Sequence, residues 1–156
     1  MKLTNYTDYA LRVLIFLALK KDEELSTIKE IAETYNISKN HLMKIIHHLG
    51  QLGYIETTRG RNGGIRLAKT PKEINIGEVV SKTEEDFYIV DCFKEGGSYC
   101  SISPACKLKH ALFEALQAFL GVLKGYTLED LVFNKEELLG LQLSGFDPIG
   151  ANIHKP

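Results

Sequence analysis

The sequence lacks the features that mark several common classes of protein. No stretch comes near the ~20 consecutive apolar residues that a membrane-spanning helix needs. The apolar run near the start is preceded by Asp8, is interrupted by Arg12, and has neither a basic leader nor a small-residue cleavage site, so we expect a cytoplasmic protein. There is also no phosphate-binding glycine loop and no recognisable pair of nucleophile and base. We therefore do not expect an enzyme.

Cysteine is scarce, and its number is odd. Cys92, Cys100 and Cys106 lie within fifteen residues, with seven and then five residues between them. An odd number excludes complete pairing in intrachain disulfides, and clustered cysteines in a cytoplasmic protein favour metal or redox chemistry. Three converging thiolates can hold an iron–sulfur cluster, whereas structural zinc sites more often use cysteines roughly two to four residues apart. The spacing leaves the fourth ligand open, and the candidates are Asp8, Asp91, Glu95 and His110.

The chain as a whole has almost no net charge, but one segment is strongly positive. The net charge is −1, yet residues 36–72 carry seven Lys or Arg against the single acid Glu56, a local charge of +6. The remainder of the chain is therefore at −7. This separation indicates a module for binding a polyanion such as double-stranded DNA, joined to a part with another role.

The basic segment and the residues before it have the pattern of a winged helix-turn-helix. Thr27 and Glu30 form a capping box, and Ser38 caps the helix after the turn. Asn62-Gly63 predicts a hairpin, because both residues tolerate positive φ. We expect the outer face of the second helix to enter the major groove and the hairpin tip to reach the minor groove. The candidate DNA-binding residues are Lys39, Asn40, Lys44, His47, Arg59 and Arg61. We interpret the helix's histidines as exposed polar residues, not a metal site: His41, His47 and His48.

The first helix should extend from a cap at Thr4 or Asn5 to about Lys20. Between Tyr9 and Leu19 it is apolar on every side except at Arg12. A small domain can hardly bury such a helix alone, so we expect it to contact a second subunit.

A second long helix is predicted after the cysteines. Ser103-Pro104 is typical of a helix start, and the helix should reach about Tyr126. Its apolar residues form two stripes, of which one can pack on the rest of the chain and the other on a twin helix in a homodimer. The seam of coiled-coil spacing comprises Leu108, Leu112, Ala115, Phe119, Val122 and Tyr126, and the second stripe comprises Phe113, Leu116, Leu120 and Leu123.

These patterns predict a mainly α-helical fold with a small β-hairpin wing. Residues 1–72 would form the winged helix-turn-helix DNA-binding domain. Residues 73–133 would contain the cluster-binding loop and the dimerisation helix, and residues 134–156 would be a loose C-terminal segment.

Several segments carry a resemblance to a known family: MKLTNYTDYALRVLIFLA, IKEIAETYNISKNHLMKIIHHLGQLGYIETTRGRNGGIRLA, INIGEVV, and the cysteine loop with ISPAC. Over residues 1 to about 133 the chain resembles the nitric-oxide-sensing repressors of the Rrf2 family of bacterial winged-helix regulators. The resemblance implies a homodimer with one 4Fe–4S cluster per subunit. Such a dimer would bind a palindromic operator and release it when nitric oxide attacks the cluster.

The resemblance also implies a ligand set. Three ligands would be Cys92, Cys100 and Cys106, and the fourth would be an aspartate of the partner's first helix, which matches Asp8. The iron–sulfur assembly regulators of the same family instead hold a 2Fe–2S cluster with a histidine just after the third cysteine. That histidine is displaced here to His110, which is therefore the runner-up. The alternatives are a 2Fe–2S regulator, a zinc or thiol redox sensor of the same family, and, outside the regulators, an iron–sulfur electron carrier.

Overall fold

The computed structural model describes residues 2–21, 24–97 and 100–143. Within these ranges it contains seven α-helices and one two-stranded antiparallel hairpin. None of the described helices is long and apolar enough to cross a membrane. The elements are α1 (Asn5–Leu19), α2 (Ile28–Tyr35), α3 (Lys39–Gln51), β1 (Ile55–Thr58), β2 (Gly64–Leu67), α4 (Ile76–Thr83), α5 (Lys107–Lys124), α6 (Leu128–Leu131) and α7 (Lys135–Leu143).

Helix α1 is the centre of the molecule. Its N-cap is Thr4, whose hydroxyl accepts a hydrogen bond from the Thr7 amide at 3.2 Å. It packs against α2, α3, α4, α6, α7 and β2, and these elements bury most of its apolar residues. Three of the burying helices, α4, α6 and α7, lie outside residues 1–72, so the predicted head domain does not bury α1 alone. Tyr9, Leu11 and Ile15 remain partly exposed, and contact of α1 with a second subunit stays a prediction.

Helices α2 and α3 form the predicted helix-turn-helix. The capping box is confirmed, because the Thr27 amide donates to Glu30 Oε2 at 2.6 Å and the Glu30 amide donates to the Thr27 hydroxyl at 3.2 Å. Asn36 ends α2 in the left-handed region, with φ of 51°. Ser38 then caps α3 by accepting from the His41 amide. The apolar residues of α3 recur at helical spacing, and the face that they form is buried against α1 and α2.

The wing is confirmed, but its turn differs from the prediction. Strands β1 and β2 pair from Ile55 opposite Leu67 to Thr58 opposite Gly64. Positive φ falls on Gly60, at 111°, and not on Asn62 or Gly63. Gly63 is needed for a different reason, since a Cβ there would lie 2.1 Å from the Thr58 carbonyl oxygen. The Asn-Gly signal therefore located the hairpin without giving its conformation.

Helices α4, α5 and α6 join the same core as the helix-turn-helix. Asn75 caps α4 and pairs with Thr127 in an isolated β-bridge, which holds the start of α4 against the start of α6. Gly77 lets α4 approach the end of α5, because a Cβ there would lie 2.7 Å from the Lys124 amide nitrogen. Ile74 and Leu128 are fully buried in a cluster that also contains residues of α1 and α3. The boundary predicted after residue 72 thus falls inside one continuous core.

Helix α5 begins later than the Ser103-Pro104 signal predicted. Ser103–Ala105 form a single 3-10 turn, and Cys106 is the N-cap of the α-helix that follows. Leu116 of the second stripe is only 7% exposed, whereas Leu108 and Val122 of the seam are 66% and 62% exposed. The second stripe therefore packs mostly on the chain itself, although its Phe113 is 53% exposed. Most of the seam stays exposed in the single chain, with only Leu112 and Phe119 half-buried.

The C-terminal region contains an element that the sequence did not predict. Residues 134–156 were expected to be loose, but Lys135–Leu143 form α7. Lys135 Nζ donates to the Lys20 carbonyl oxygen at 3.1 Å, and Gln142 Nε2 donates to the Tyr35 hydroxyl at 3.3 Å. These contacts attach α7 to the end of α1 and to the end of α2. The rest of the predicted tail, residues 144–156, lies outside the described residues.

Candidate DNA interface and cysteine loop

The outer face of α3 is open to solvent and basic. The inward face of the helix is fixed by buried Leu42, Ile45 and Leu49, so the opposite residues have to point outward. Helix α3 contains no acidic residue. The four predicted contact residues of this helix are all exposed: Lys39, Asn40, Lys44 and His47.

The wing carries the second part of the predicted interface. Arg59 and Arg61 are exposed at the hairpin tip, between the paired strands. Across the strands, Arg66 forms an ion pair with Glu56, the one acid of residues 36–72. The local acid is therefore neutralised at the base of the hairpin. The exposed tip arginines thus add positive charge to a wing whose first strand packs against α3, an arrangement that suits binding to DNA.

Two tyrosine–histidine contacts join α1 to α3, and sequence reasoning missed both. The Tyr6 hydroxyl and His48 Nδ1 share a hydrogen bond of 2.9 Å in a partly buried position. The ring of Tyr9 meets the ring of His41 edge to face, with 5.7 Å between centroids. Burial raises the pKa of Tyr6, so its hydroxyl stays protonated. His41 is exposed as predicted, although its ring contacts Tyr9, whereas the prediction of an exposed side chain was wrong for His48, which is half-buried.

A signal for these contacts was present in the sequence. Tyr6 and Tyr9 are three residues apart on α1, and His41 and His48 are seven apart on α3, so each pair lies on one helix face. Only the crossing of the two helices, however, brings the two faces together.

Asp8 forms an ion pair within its own chain. Its carboxylate accepts from Arg12 Nη2 at 2.9 Å and from Arg12 Nε at 3.2 Å, which is a two-pronged contact. The guanidinium also lies 5.9 Å from the ring centre of Tyr9 and 6.0 Å from that of Tyr35. Asp8 is half-buried. Asp8 and Arg12 thus form an i,i+4 salt bridge within α1 of the single chain.

The three cysteines lie in a loop that folds back on itself. Cys92 belongs to the 3-10 turn Asp91–Phe93 and is half-buried, Cys100 is exposed, and Cys106 is half-buried at the N-cap of α5. Gly97 allows the fold-back, because a Cβ there would lie 2.1 Å from the Asp91 carbonyl oxygen.

Two of the other candidate ligands, Asp91 and Glu95, lie in this loop. Asp91 Oδ1 accepts from Lys94 Nζ at 3.0 Å, and this hydrogen bond raises the pKa of Lys94. Glu95 is exposed. Asp91 therefore already has a charged partner, and neither carboxylate is favoured over Asp8 or His110.

Two cavities meet at Cys92. It lines one of about 290 Å³ together with Cys100, and another of about 380 Å³ together with His110, Phe93 and Phe113. The second cavity is mainly aromatic, and the rings of Phe93 and Phe113 meet edge to face with 6.3 Å between centroids. Among the candidate ligands, the fold thus brings Cys100 and His110 to spaces that Cys92 shares.

The donor chemistry fits an iron–sulfur cluster, although the single chain does not assemble the site. All three cysteines are free thiols, and two of them face a common cavity. Cys106 lies beside the free amides of the first turn of α5, which favour a negative charge. Within residues 2–21, 24–97 and 100–143, however, no three His, Cys, Asp or Glu residues are arranged to hold a metal ion.

Comparison with known proteins gives consistent matches. The model of a family described as "Rrf2: Iron-dependent Transcriptional regulator" matches residues 3–134. The HTH-type transcriptional regulator NsrR of Bacillus subtilis is 67% identical over 141 residues, which are 90% of this chain and 97% of that protein. NsrR of Bacillus licheniformis is 61% identical, with 88% and 96% covered. The structure of CymR, the global cysteine regulator of B. subtilis, superposes with a TM-score of 0.70 at 27% identity and covers 86% of this chain and 98% of its own.

Proposed function

Because the chain belongs to the Rrf2 family of transcriptional regulators, we propose that it is a homodimeric repressor that senses nitric oxide through a 4Fe–4S cluster. Family membership confirms the expectation of a DNA-binding regulator that is not an enzyme. The observation that carries the proposal is that one chain combines the exposed, acid-free face of α3 and the exposed arginine tip of the wing with three free cysteines. One part binds a polyanion, and the other has ligands for a sensing group.

Binding to DNA follows from the charge and shape of this face. Helix α3 would lie in the major groove, where Asn40 can make paired hydrogen bonds to an adenine edge. The wing arginines would reach the minor groove, whose narrow width concentrates negative potential. Lys39, Lys44 and His47 would contact phosphates or bases near them. Two such faces related by a two-fold axis require a palindromic operator.

The residues that would hold the cluster are Cys92, Cys100 and Cys106 of one subunit and Asp8 of the other. When bound, the cluster supplies an iron atom that small molecules can reach. The three thiolates anchor it firmly, whereas the carboxylate is a hard ligand and holds soft iron less tightly. Asp8 would have to give up one or both of its contacts with Arg12 to serve in this way.

The uncovered seam of α5 supports a dimer. Most of its second stripe is used within the chain, so the exposed seam residues are left for a twin helix. A dimer is also what the proposed ligand set needs, since Asp8 and the cysteine loop would come from different subunits.

A 2Fe–2S regulator is the second candidate. It is favoured by His110, which lines the same cavity as Cys92 and lies on the first turns of α5. Comparing Asp8→Ala with His110→Ala separates the two candidates. The true fourth ligand is the one whose loss changes the visible spectrum of the bound cluster.

The proposal is tested on anaerobically purified protein. We expect about four iron and four sulfide per chain, a visible absorption band, and a shift of operator DNA that is lost when the cluster is removed. Cys92→Ser, which keeps the size of the side chain, should lose iron and sulfide together. Zinc without sulfide would favour the zinc or thiol sensor. A cluster whose presence has no effect on DNA binding would favour an electron carrier.

A further inference from the structure

The recognition helix α3 is held by α1 at both of its ends. His41 lies in the first turn of α3 and meets the ring of Tyr9, while His48 lies in the last two turns and bonds to Tyr6. Both tyrosines belong to the first two turns of α1. The position of α3 relative to the rest of the chain therefore depends on where this end of α1 lies.

Asp8 lies between the two tyrosines. Its carboxylate is bound to Arg12, and it is the residue that we propose as a ligand from the partner subunit. Any force that acts on the Asp8 carboxylate acts on the same turn of helix that carries Tyr6 and Tyr9. A helix turn moves as a unit because its backbone hydrogen bonds are short and continuous. A displacement at Asp8 is thus passed to both contacts with α3.

We propose that Tyr6 and His48 are positioning residues that couple the state of Asp8 to the placement of the recognition helix. The inference rests on the proposed function, in which Asp8 is bound or released as the cluster is present or lost. The Tyr6–His48 contact is the stronger of the two, because a partly buried hydrogen bond is directional, whereas the Tyr9–His41 ring contact tolerates sliding. The first transmits a small shift, and the second mainly keeps the helices apart.

The two tyrosines provide a matched pair of variants. Tyr6→Phe removes only the hydroxyl that bonds to His48 Nδ1 and keeps the ring. Tyr9→Phe removes a hydroxyl from the residue whose contact with α3 is made by its ring edge. Both changes are of the same size and lie on the same helix face. Any difference between them therefore reports the hydrogen bond.

The DNA probe is the duplex that the cluster-loaded wild type selects from a random library. For each full-length protein, the dissociation constant for this duplex is measured with the cluster and without it. The constant without the cluster, divided by the constant with it, measures the coupling between cluster and DNA. We expect Tyr6→Phe to lower this ratio by about threefold to tenfold, the range of a net hydrogen bond. Tyr9→Phe should stay within about twofold of the wild type.

A second variant guards against a local packing effect. His48→Phe keeps a ring beside Tyr6 but removes the nitrogen, so it should lower the ratio by a similar factor. Because both changes remove the same bond, the double variant should lower it no further than either single one. Cluster absorbance per chain and melting temperature should stay close to those of the wild type.

The outcomes are distinguishable. If Tyr6→Phe weakens DNA binding equally with and without the cluster, the contact is merely structural and the inference is overturned. An unchanged ratio in both Tyr6→Phe and His48→Phe overturns it as well. If the proposed function is wrong, the wild type itself will bind DNA with equal affinity with and without the cluster. There is then no coupling for Tyr6 and His48 to transmit.

Discussion

At the scale of single residues, three carboxylates of the described chain share one arrangement. Each accepts hydrogen bonds from the hydroxyl and the backbone amide of a threonine three residues earlier, and these bonds lower its pKa. The pairs are Thr27 with Glu30, Thr70 with Glu73, and Thr127 with Asp130. In Glu30 the largest cause is the bond from the Thr27 amide. Each group is the third residue of the helix or 3-10 turn that its threonine caps, and its charge stabilises the start of that element.

This arrangement predicts an acid-sensitive helix-turn-helix. The pKa of Glu30 is lower in the folded chain than the ordinary value of 4.5. Its contribution to stability is therefore fully present above about pH 4.5 and is lost as the pH falls through the lowered pKa. We expect the melting temperature of wild type to fall more steeply than that of Glu30→Gln below this pH, since Gln keeps a capping bond but does not titrate. Glu33→Gln, on the same helix, is the control. Parallel curves for wild type and Glu30→Gln would show that this cap contributes nothing measurable.

A substitution at the wing tip tests the DNA interface by charge. Arg59→Ala should weaken operator binding and reduce the slope of log affinity against log salt by about one counterion if Arg59 contacts a phosphate. The measurement is a titration at several salt concentrations. Lys29→Ala, which removes a charge from α2, should leave the slope unchanged. An unaltered affinity of Arg59→Ala at every salt concentration would exclude the wing tip from the interface.

A substitution on α3 tests base reading. Asn40→Ala should cost about 1–3 kcal/mol at one base pair and little at the others. Binding to a panel of operators with single base changes would locate that position. A uniform loss over the whole panel would mean that Asn40 contacts the backbone of the DNA.

At the scale of elements, the limits of the sequence become clear. The helix-turn-helix was predictable because three local signals agree there: a capping box, an N-cap serine and an apolar face of helical period. Helix α7 has no apolar face of its own, and what fixes it is its contact with α1 and α2 across more than 100 residues of chain. Such helices depend on tertiary packing, which no local pattern records.

The predictions of the start of α5 and of the wing turn were wrong for a different reason. A Ser-Pro pair suits the first turn of an α-helix and equally suits a separate 3-10 turn, and only the geometry of Cys106 distinguishes them. In the wing, Gly60, Asn62 and Gly63 can each adopt a positive φ. With β1 and β2 paired in the observed register, only Gly60 of these three does so. In both places the local sequence predicted the type of element, and the structure was needed to give its boundary or its backbone conformation.

The seam of α5 gives a prediction for the assembly of two chains. Val122 is 62% exposed, so Val122→Asp should leave the stability of the single chain within about 0.5 kcal/mol. The same charge would be buried in a dimer, and we expect the mass by sedimentation to fall to that of one chain. Glu114→Ala, on the same helix, should keep the mass of two. A Val122→Asp protein that stays dimeric would move the interface away from this seam.

At the scale of the whole molecule, the proposed sensing site is incomplete, because neither the sequence nor the single chain identifies its fourth ligand. The three cysteines were evident from their clustering, and the fold brings Cys92 and Cys100 to one cavity. The fourth ligand could not be predicted from spacing, because Asp8 is separated from the loop by more than 80 residues and in this chain is bound to Arg12. If the partner's aspartate completes the site, the site exists only in the dimer.

The ligand set predicts different results for its members. Any one of Cys92→Ala, Cys100→Ala and Cys106→Ala should lose most of the cluster absorbance, because each removes the only protein anchor of one iron. Asp8→Ala should retain a cluster, since water or a small thiol can take its place, but the operator affinity should respond less to cluster loss. Parallel absorbance and DNA-binding titrations check both statements. If His110→Ala, and not Asp8→Ala, alters the response, His110 is the fourth ligand.

The most direct test of the whole account is an anaerobic titration of the operator-bound, cluster-loaded dimer with nitric oxide. Cluster absorbance and operator occupancy are followed in the same sample, and a Cys100→Ala protein serves as the cluster-free reference. We predict that DNA release follows cluster loss step for step and ends at the occupancy of the reference. Occupancy that stays constant while the absorbance disappears, or DNA release before the absorbance changes, would contradict the claim that the cysteine loop controls the DNA-binding face.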